Sequence, residues 1–255
     1  VNSSCSDGVR LIPVELVDCA GLVPGAWEGR GLGNQFLDEI RRADALINVV
    51  DASGSTDSEG KPCPSGTHDP LEDIAFLDKE IDMWWLQIMK HDWERIARKA
   101  ENERTDIAVD LAEKLTGLAV KRDQISSGIV AVGLDPDKPT MWRNEDLLKL
   151  TQAVRKATQP MVVAANKIDL PHAEENLKRM EEAGIHVVAC CAEAELALRR
   201  ASEKKITDYR PGDSGFNILT TEGLKEEQIR ALSVVKEKIL RKWGSTGVQD
   251  AVDYA

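Results

Sequence analysis

Four short apolar runs are spaced along the chain: Leu11 to Ala20 (LIPVELVDCA), Ala45 to Ala52 (ALINVVDA), Pro160 to Ala165 (PMVVAA) and His186 to Cys191 (HVVACC). Each is rich in β-branched residues and too short for a buried helix. Runs that are apolar at successive positions suit strands of a parallel sheet covered by helices on both faces. Between the runs the apolar spacing becomes helical. Ile74, Leu77, Ile81, Trp84 and Ile88 form one stripe, widened by Trp85, Met89 and Ile96. Its start is marked by Asp69 as N-cap, Pro70 at the first helical position and Glu72 at the capping-box position. Further helices carry Ile107, Leu111 and Leu115, then Ile125, Ile129 and Val132, then Leu147, Leu148, Val154 and Ala157 behind an Asn144 cap. Others run from near Gly33, from Glu193 to Lys205, and from Glu222 to Trp243, the last closed by Gly244.

The alternation predicts an α/β fold, a mostly parallel sheet interrupted by an all-helical subdomain. The expected division is a first sheet part over 1–67, a helical insert over 68–158, and a second sheet part with a C-terminal helix over 159–255. That insert is longer than a single crossover helix.

Composition narrows the function classes. The 255 residues hold 33 Lys+Arg against 44 Asp+Glu, a net charge of −11. An acidic chain of this kind does not coat duplex DNA. No apolar run approaches the ~18 residues of a membrane span, so no membrane partner is expected. Cys5, Cys19, Cys63, Cys190 and Cys191 contain no C-x-x-C pair. Their pattern argues for a reducing, cytoplasmic setting rather than a disulfide framework or a zinc ribbon. The four histidines show no metal-ligand spacing. The chain opens on Val1 with a core-strand pattern almost at once, which reads as a piece of a longer protein.

Three motifs follow strand-like runs. Asn166-Lys167-Ile168-Asp169 stands at the end of PMVVAA, where open α/β sheets bind ligands. A carboxylate at Asp169 can accept both the N1–H and the exocyclic amine of guanine, whereas adenine presents no N1–H. Asn166 can bridge the base to neighbouring loops and the Lys167 stem can cover its face. An N-K-x-D at a helix start can also arise by chance. Asp18-Cys19-Ala20-Gly21 ends the first run; there an Asp can hold Mg²⁺ through water, and a Gly N–H can donate to a terminal phosphate. The stretch Gly21 to Gly33 holds five glycines among Leu22, Val23 and Trp27, which excludes a regular helix or strand. Cys191-Ala192-Glu193-Ala194-Glu195 ends the last run; the Ala192 N–H can read a base carbonyl, or the segment is an ordinary strand-to-helix turn with acids near a helix N-terminus. The Trp84, Trp85 and Trp93 group reads as core or as a stacking platform, and the Arg199, Arg200, Lys204, Lys205 cluster as a solvated face or an RNA contact.

In combination, D-x-x-G, N-K-x-D and the A-x-E turn follow the order of P-loop GTPases. The passage DCAGLVPGAWEGRGLGNQFLDEIRRADALINVVDASG resembles the Obg-type GTPases, and within them the archaeal members of the YchF-related branch. The likeness continues through the helical insert into Gly244-Ser245-Thr246-Gly247-Val248-Gln249. It implies a Ras-like G domain with GTP and Mg²⁺ as cofactors, slow GTP hydrolysis as a molecular switch, and a link to the ribosome or translation. By position, Asp18 (with Mg²⁺) and Gly21 would serve the phosphates, and Asn166, Lys167, Asp169 and Ala192 the base. Leu22 stands where many GTPases place a water-orienting Gln, so no catalytic residue is assigned. The intact Asn-Lys-Ile-Asp favours GTP over ATP. The alternative is a helical module that binds ribosome or RNA regardless of nucleotide. The sequence contains no G-x-x-x-x-G-K-[ST]; relatives carry it before the position of Val1, with the strand that leads into it, and a TGS domain after the position of Ala255.

Overall fold

In the computed structural model, residues 4–6, 9–19, 22, 24–31, 36 and 39–255 are described. Their main sheet has three strands: β3 (Leu46–Asp51), β4 (Met161–Asn166) and β5 (Val187–Ala189), in the order β3-β4-β5. Both pairings are parallel, and the register places Leu46 beside Met161 and Asp51 beside Asn166. The last residues of β3 and β4 therefore lie side by side at the C-terminal edge of the sheet. A separate antiparallel pair joins β1 (Ser4–Ser6) to β2 (Val9–Leu11).

Over its described residues, 11–19, the strand expected from Leu11 to Ala20 does not form. Only its first residue belongs to a strand. Ile12, Val14, Leu16 and Val17 are exposed in a stretch without regular structure. A strand persists through its ladder, because unpaired N–H and C=O groups gain nothing from extension. Val9–Leu11 folds back on Ser4–Ser6, and no described strand lies beside residues 12–19.

Helices α1 (Pro70–Lys90), α2 (Trp93–Glu103), α3 (Ile107–Lys114), α4 (Arg122–Val132) and α5 (Asn144–Thr158) fill the span between β3 and β4. They enclose one core containing Ile81, Trp85, Met89, Leu111, Ile125, Leu147 and Leu150, to which Phe36 and Ile40 contribute. The Asp69 carboxylate caps α1 through the Leu71 N–H, as its sequence position predicts. It also pairs with Arg179 instead of entering a capping box with Glu72. The Asn144 cap moves by one residue: Arg143 is the N-cap, and its N–H is taken by the Asp146 carboxylate. The single stripe read through Ile96 is broken at Asp92, whose φ of 57° ends α1 and starts α2.

After β4 come α6 (Ala173–Glu182), α7 (Ala192–Glu203), then α8, which runs from Glu226–Val234 through a wide turn at Val235–Leu240 into Arg241–Trp243, and finally α9 (Val248–Tyr254). The α8 start lies four residues beyond the expected Glu222; the expected helix near Gly33 falls partly outside the described residues, and of those described Phe36, Glu39 and Ile40 are helical while 41–44 are not. Helices α6, α7 and α8 share a second core with the sheet, built on Val50, Val163, Ala165, Leu177, Leu198 and Ile239, while Ala251 of α9 packs with Ala164 and Cys190. Helix α1 reaches both cores: Ile74 belongs to the sheet core, and Ile81, Trp85 and Met89 to the helical one. Arg155 of α5, only 2% exposed, ties the helices together by pairing with Asp82 at 2.5 Å and Asp78 at 2.8 Å on α1.

Candidate functional site

The C-terminal edge of the sheet gathers most of the candidate residues. β4 ends at Asn166, whose backbone carbonyl accepts the Ala52 N–H at 2.9 Å. The chain then turns through Lys167, a non-glycine residue at φ 63°. Such a conformation is held by its surroundings. Ile168 follows with a buried side chain and donates its N–H to the Cys190 carbonyl at 3.2 Å. Asp169 emerges at the surface, and one of its oxygens accepts the Cys191 thiol at 3.3 Å.

The turn after β5 lies against this one. Cys190 donates its N–H to Ala165 at 2.8 Å, and Cys191 donates its N–H to Thr246 at 2.8 Å. The Ala192 N–H opens α7 and is taken by Asn166 Oδ1 at 3.0 Å. Asn166, Lys167, Asp169 and Ala192 thus form one continuous rim. The Ala192 donor is occupied by Asn166, so reading a base carbonyl requires that amide to turn away. Burial, with Asp169 adding to it, pushes the Cys191 thiol up to about 12, so the group stays an S–H donor toward that carboxylate.

The phosphate-side candidates belong to a different stretch of the chain. Asp18 is exposed in the irregular 12–19 stretch. Cys19 and Leu22 pack partly buried against the helical core. Gly21 lies outside the described residues. Beyond them, the turn Ala26–Glu28 is framed by Gly25 at φ 83° and Gly29 at φ 86°. It is fastened to α1 by the buried Glu80, whose two oxygens accept the Gly25 and Trp27 N–H groups at 3.0 and 3.2 Å. Among the described residues, no group of three or more His, Cys, Asp or Glu could hold a metal ion, and no helix is long and apolar enough to cross a membrane.

Two features beside the rim lie outside the assigned site residues. The first is Asp51, the last residue of β3. Its Oδ1 accepts the Ser53 N–H at 3.0 Å and the Ser53 hydroxyl at 2.6 Å. Its Oδ2 accepts the Ser55 N–H at 3.1 Å, the Ser55 and Thr56 hydroxyls at 2.8 and 2.6 Å, and the Lys167 ammonium at 2.8 Å. Burial pushes this carboxyl up, but Lys167 and the three hydroxyls outweigh it and hold the group well below the usual carboxylate range. The signal in the sequence is an Asp at a strand end followed by Ser53, Ser55 and Thr56, each able to bond back to it.

The second is a buttress behind the Cys191 turn. Buried Glu195 accepts the Tyr209 hydroxyl at 2.6 Å, the Thr246 hydroxyl at 2.6 Å and Arg199 Nε at 2.5 Å. Gly247 passes so close to β5 that a Cβ there would sit 1.8 Å from the Ala189 oxygen. Only glycine permits that approach.

Residues 164–255 match the family described as Obg-like GTPase YGR210-like, G4 motif-containing domain. An uncharacterized GTP-binding protein of Methanocaldococcus jannaschii is 44% identical over 256 residues, covering 100% of this chain and 63% of that protein. A ribosome-binding ATPase YchF of Haemophilus ducreyi is 28% identical, covering 92% of this chain and 64% of its own length. The crystal structure of a GTP-binding protein from Pyrococcus horikoshii superposes with a TM-score of 0.75 at 34% identity, over 99% of this chain and 63% of the other. The chain therefore spans somewhat less than two thirds of the length of these relatives.

Proposed function

We propose that the chain, whose residues 164–255 match the Obg-like GTPase YGR210-like family, is an Obg-like GTPase, and that the rim at the C-terminal edge of the sheet is the base-reading side of its GTP site. The protein's activity in this reading is slow GTP hydrolysis as a switch linked to the ribosome. The observation that carries it is the Asn166–Asp169 turn, placed beside the Cys191–Ala192 turn at the carboxyl ends of two parallel strands. In open α/β sheets ligands bind at that edge.

Each residue then has a chemical task. The surface carboxylate of Asp169, steadied on one oxygen by Cys191, accepts the N1–H and amine of guanine. With adenine the same carboxylate faces an acceptor, and a desolvated charge left without its partner costs about 3–5 kcal/mol. Asn166 and Ala192 exchange their mutual bond for contacts to the base edge, and the Lys167 stem covers its face.

On the phosphate side, Asp18 and Gly21 take the roles their motif implies. Asp18 alone fits Mg²⁺ only through water, beside a nucleotide's own phosphates, because Mg²⁺ keeps several waters and draws on phosphate oxygens. Leu22 offers no group to orient attacking water, so hydrolysis is slow unless a partner supplies one. The ribosomal link rests on the name of the YchF relative.

The test is competition of GTP against ATP for a fluorescent nucleotide, on the longest natural form of the protein. The expected preference for GTP is at least ~100-fold, the equivalent of about 3 kcal/mol. Equal affinity for the two would contradict the base assignment.

A further inference from the structure

We propose that Asp51 is a positioning residue for the base site: it anchors the Lys167 ammonium, so that the lysine stem stands as a fixed wall of the base pocket before any ligand arrives. The inference rests on the base-site reading and extends it to a residue outside the recognised motifs.

The hydrogen-bond geometry carries the argument. A carboxylate offers about four lone-pair sites. The turn that follows β3 already supplies five donors to Asp51: two backbone N–H groups and three hydroxyls. The carboxylate is thus satisfied without Lys167, and the 53–56 turn needs no cation to close it. The lysine nevertheless turns inward. Its ammonium lies 2.8 Å from Asp51 Oδ2 and 3.2 Å from the Ser55 hydroxyl, while its side chain is 35% exposed and that of Asp51 only 8%. A surface lysine without such an anchor extends its charge into water. Here the charge is turned toward β3, and the stem remains at the rim between Asn166 and Asp169.

Two further features fix the arrangement. The strand register sets Asp51 directly beside Asn166, one residue before the lysine. The left-handed backbone of Lys167 sets the direction in which its side chain departs. Ordering a long side chain costs rotamer freedom, and when the empty protein already bears that cost, the ligand does not. Asp51 therefore contributes to guanine affinity through Lys167 alone, without touching the nucleotide.

The experiment is a double-mutant cycle in the longest natural form of the protein, with Asp51→Asn, Lys167→Met and both together. Affinities for GTP, GDP and GMP are read by competition against fluorescent GDP, beside thermal midpoints. Each single variant is expected to weaken all three nucleotides by a similar factor of about 10, because the wall meets the base and not the phosphates. The double variant is expected to be no weaker than the worse single one, since coupled residues are not additive. A merely structural Asp51 lowers the thermal midpoint but leaves the two affinity losses multiplying; that result, or an unchanged Asp51→Asn affinity, overturns the proposal. Should Asp51→Asn not fold, Asp51→Glu displaces the carboxylate by one methylene. It must then weaken binding beside Lys167 but not beside Lys167→Met. A wild-type protein with no guanine preference would be a different failure, that of the base-site reading itself.

Discussion

Replacing Gly247 by alanine adds one methyl group and is expected to damage the turn that supports the proposed base site. Gly244, three residues earlier, provides the control. Both glycines have left-handed backbones, at φ 82° for Gly244 and 76° for Gly247. Alanine in that conformation costs about 1–2 kcal/mol at either position. The surroundings differ: nothing lies within 4 Å of a Cβ at Gly244, whereas at Gly247 the Ala189 oxygen lies at 1.8 Å and its carbonyl carbon at 2.8 Å. Ala189 cannot yield, because it pairs with Ala165 in the sheet and the next residue donates to Ala165 as well. The 245–248 segment must therefore withdraw. It takes with it the Thr246 carbonyl that accepts the Cys191 N–H and the Thr246 hydroxyl that serves Glu195. Each buried partner left unsatisfied costs about 1–3 kcal/mol. With the backbone cost included, Gly247→Ala loses about 3–8 kcal/mol, against about 1–2 for Gly244→Ala. Urea unfolding of both variants measures the difference as a shift in midpoint at constant slope. Equal shifts for the two would refute the packing argument.

Two further outcomes follow from the buried carboxylates. Burial pushes Glu195 up, but its bonds to Thr246, Tyr209 and Arg199 hold it below its ordinary 4.5, so its stabilisation is fully present above about pH 4.5 and is lost as pH falls through the lowered folded value. Glu195→Gln is expected to be less stable at pH 7 and to show a shallower loss in acid; parallel acid-unfolding curves for the two proteins would contradict this. Glu80→Ala removes the acceptor shared by the Gly25 and Trp27 amides. Hydrogen exchange at those two amides is expected to accelerate by about 5- to 150-fold, the equivalent of about 1–3 kcal/mol, with the α5 amides unchanged; unchanged exchange at Gly25 and Trp27 would show that the loop is held otherwise.

Much of this architecture is legible in the sequence where local pattern and tertiary environment agree. The strands at Leu46, Met161 and Val187 declare themselves by apolar runs, and the Asp69-Pro70 start and the Gly244 stop declare helix ends. The candidate residues at the rim are legible because N-K-x-D follows a strand directly. The Leu11–Ala20 run shows the limit: its composition suits a strand, but a strand also needs a neighbour, and no local pattern encodes one. Asp92 divides a stripe that hydrophobic spacing alone makes continuous, because one left-handed residue leaves the periodicity nearly intact. α6 has a weak apolar signature, with Ala173, Leu177 and Met180 among charged residues, and α9 is only seven residues long. The long-range bonds of Asp51 and Glu195 are not legible for a different reason. Their partners Lys167, Tyr209 and Thr246 are distant in sequence, and only the fold brings them together.

The central claim is that Asp169 selects the base by accepting two hydrogen bonds from guanine, and Asp169→Asn tests it most directly. The substitution turns one acceptor into a donor and removes the carboxylate charge at nearly constant volume, and it leaves one oxygen to accept the Cys191 thiol. Guanine then meets an amide N–H with its own N–H donors, whereas xanthine offers a carbonyl at that position. Competition of GTP, XTP and ATP for a fluorescent nucleotide, on the wild-type and variant forms of the longest natural protein, gives the answer. GTP is expected to weaken by ~100-fold or more, the equivalent of about 3 kcal/mol, and XTP to become the preferred nucleotide. A variant that still prefers GTP as strongly as the wild type would contradict the assignment of Asp169 and, with it, of the base site.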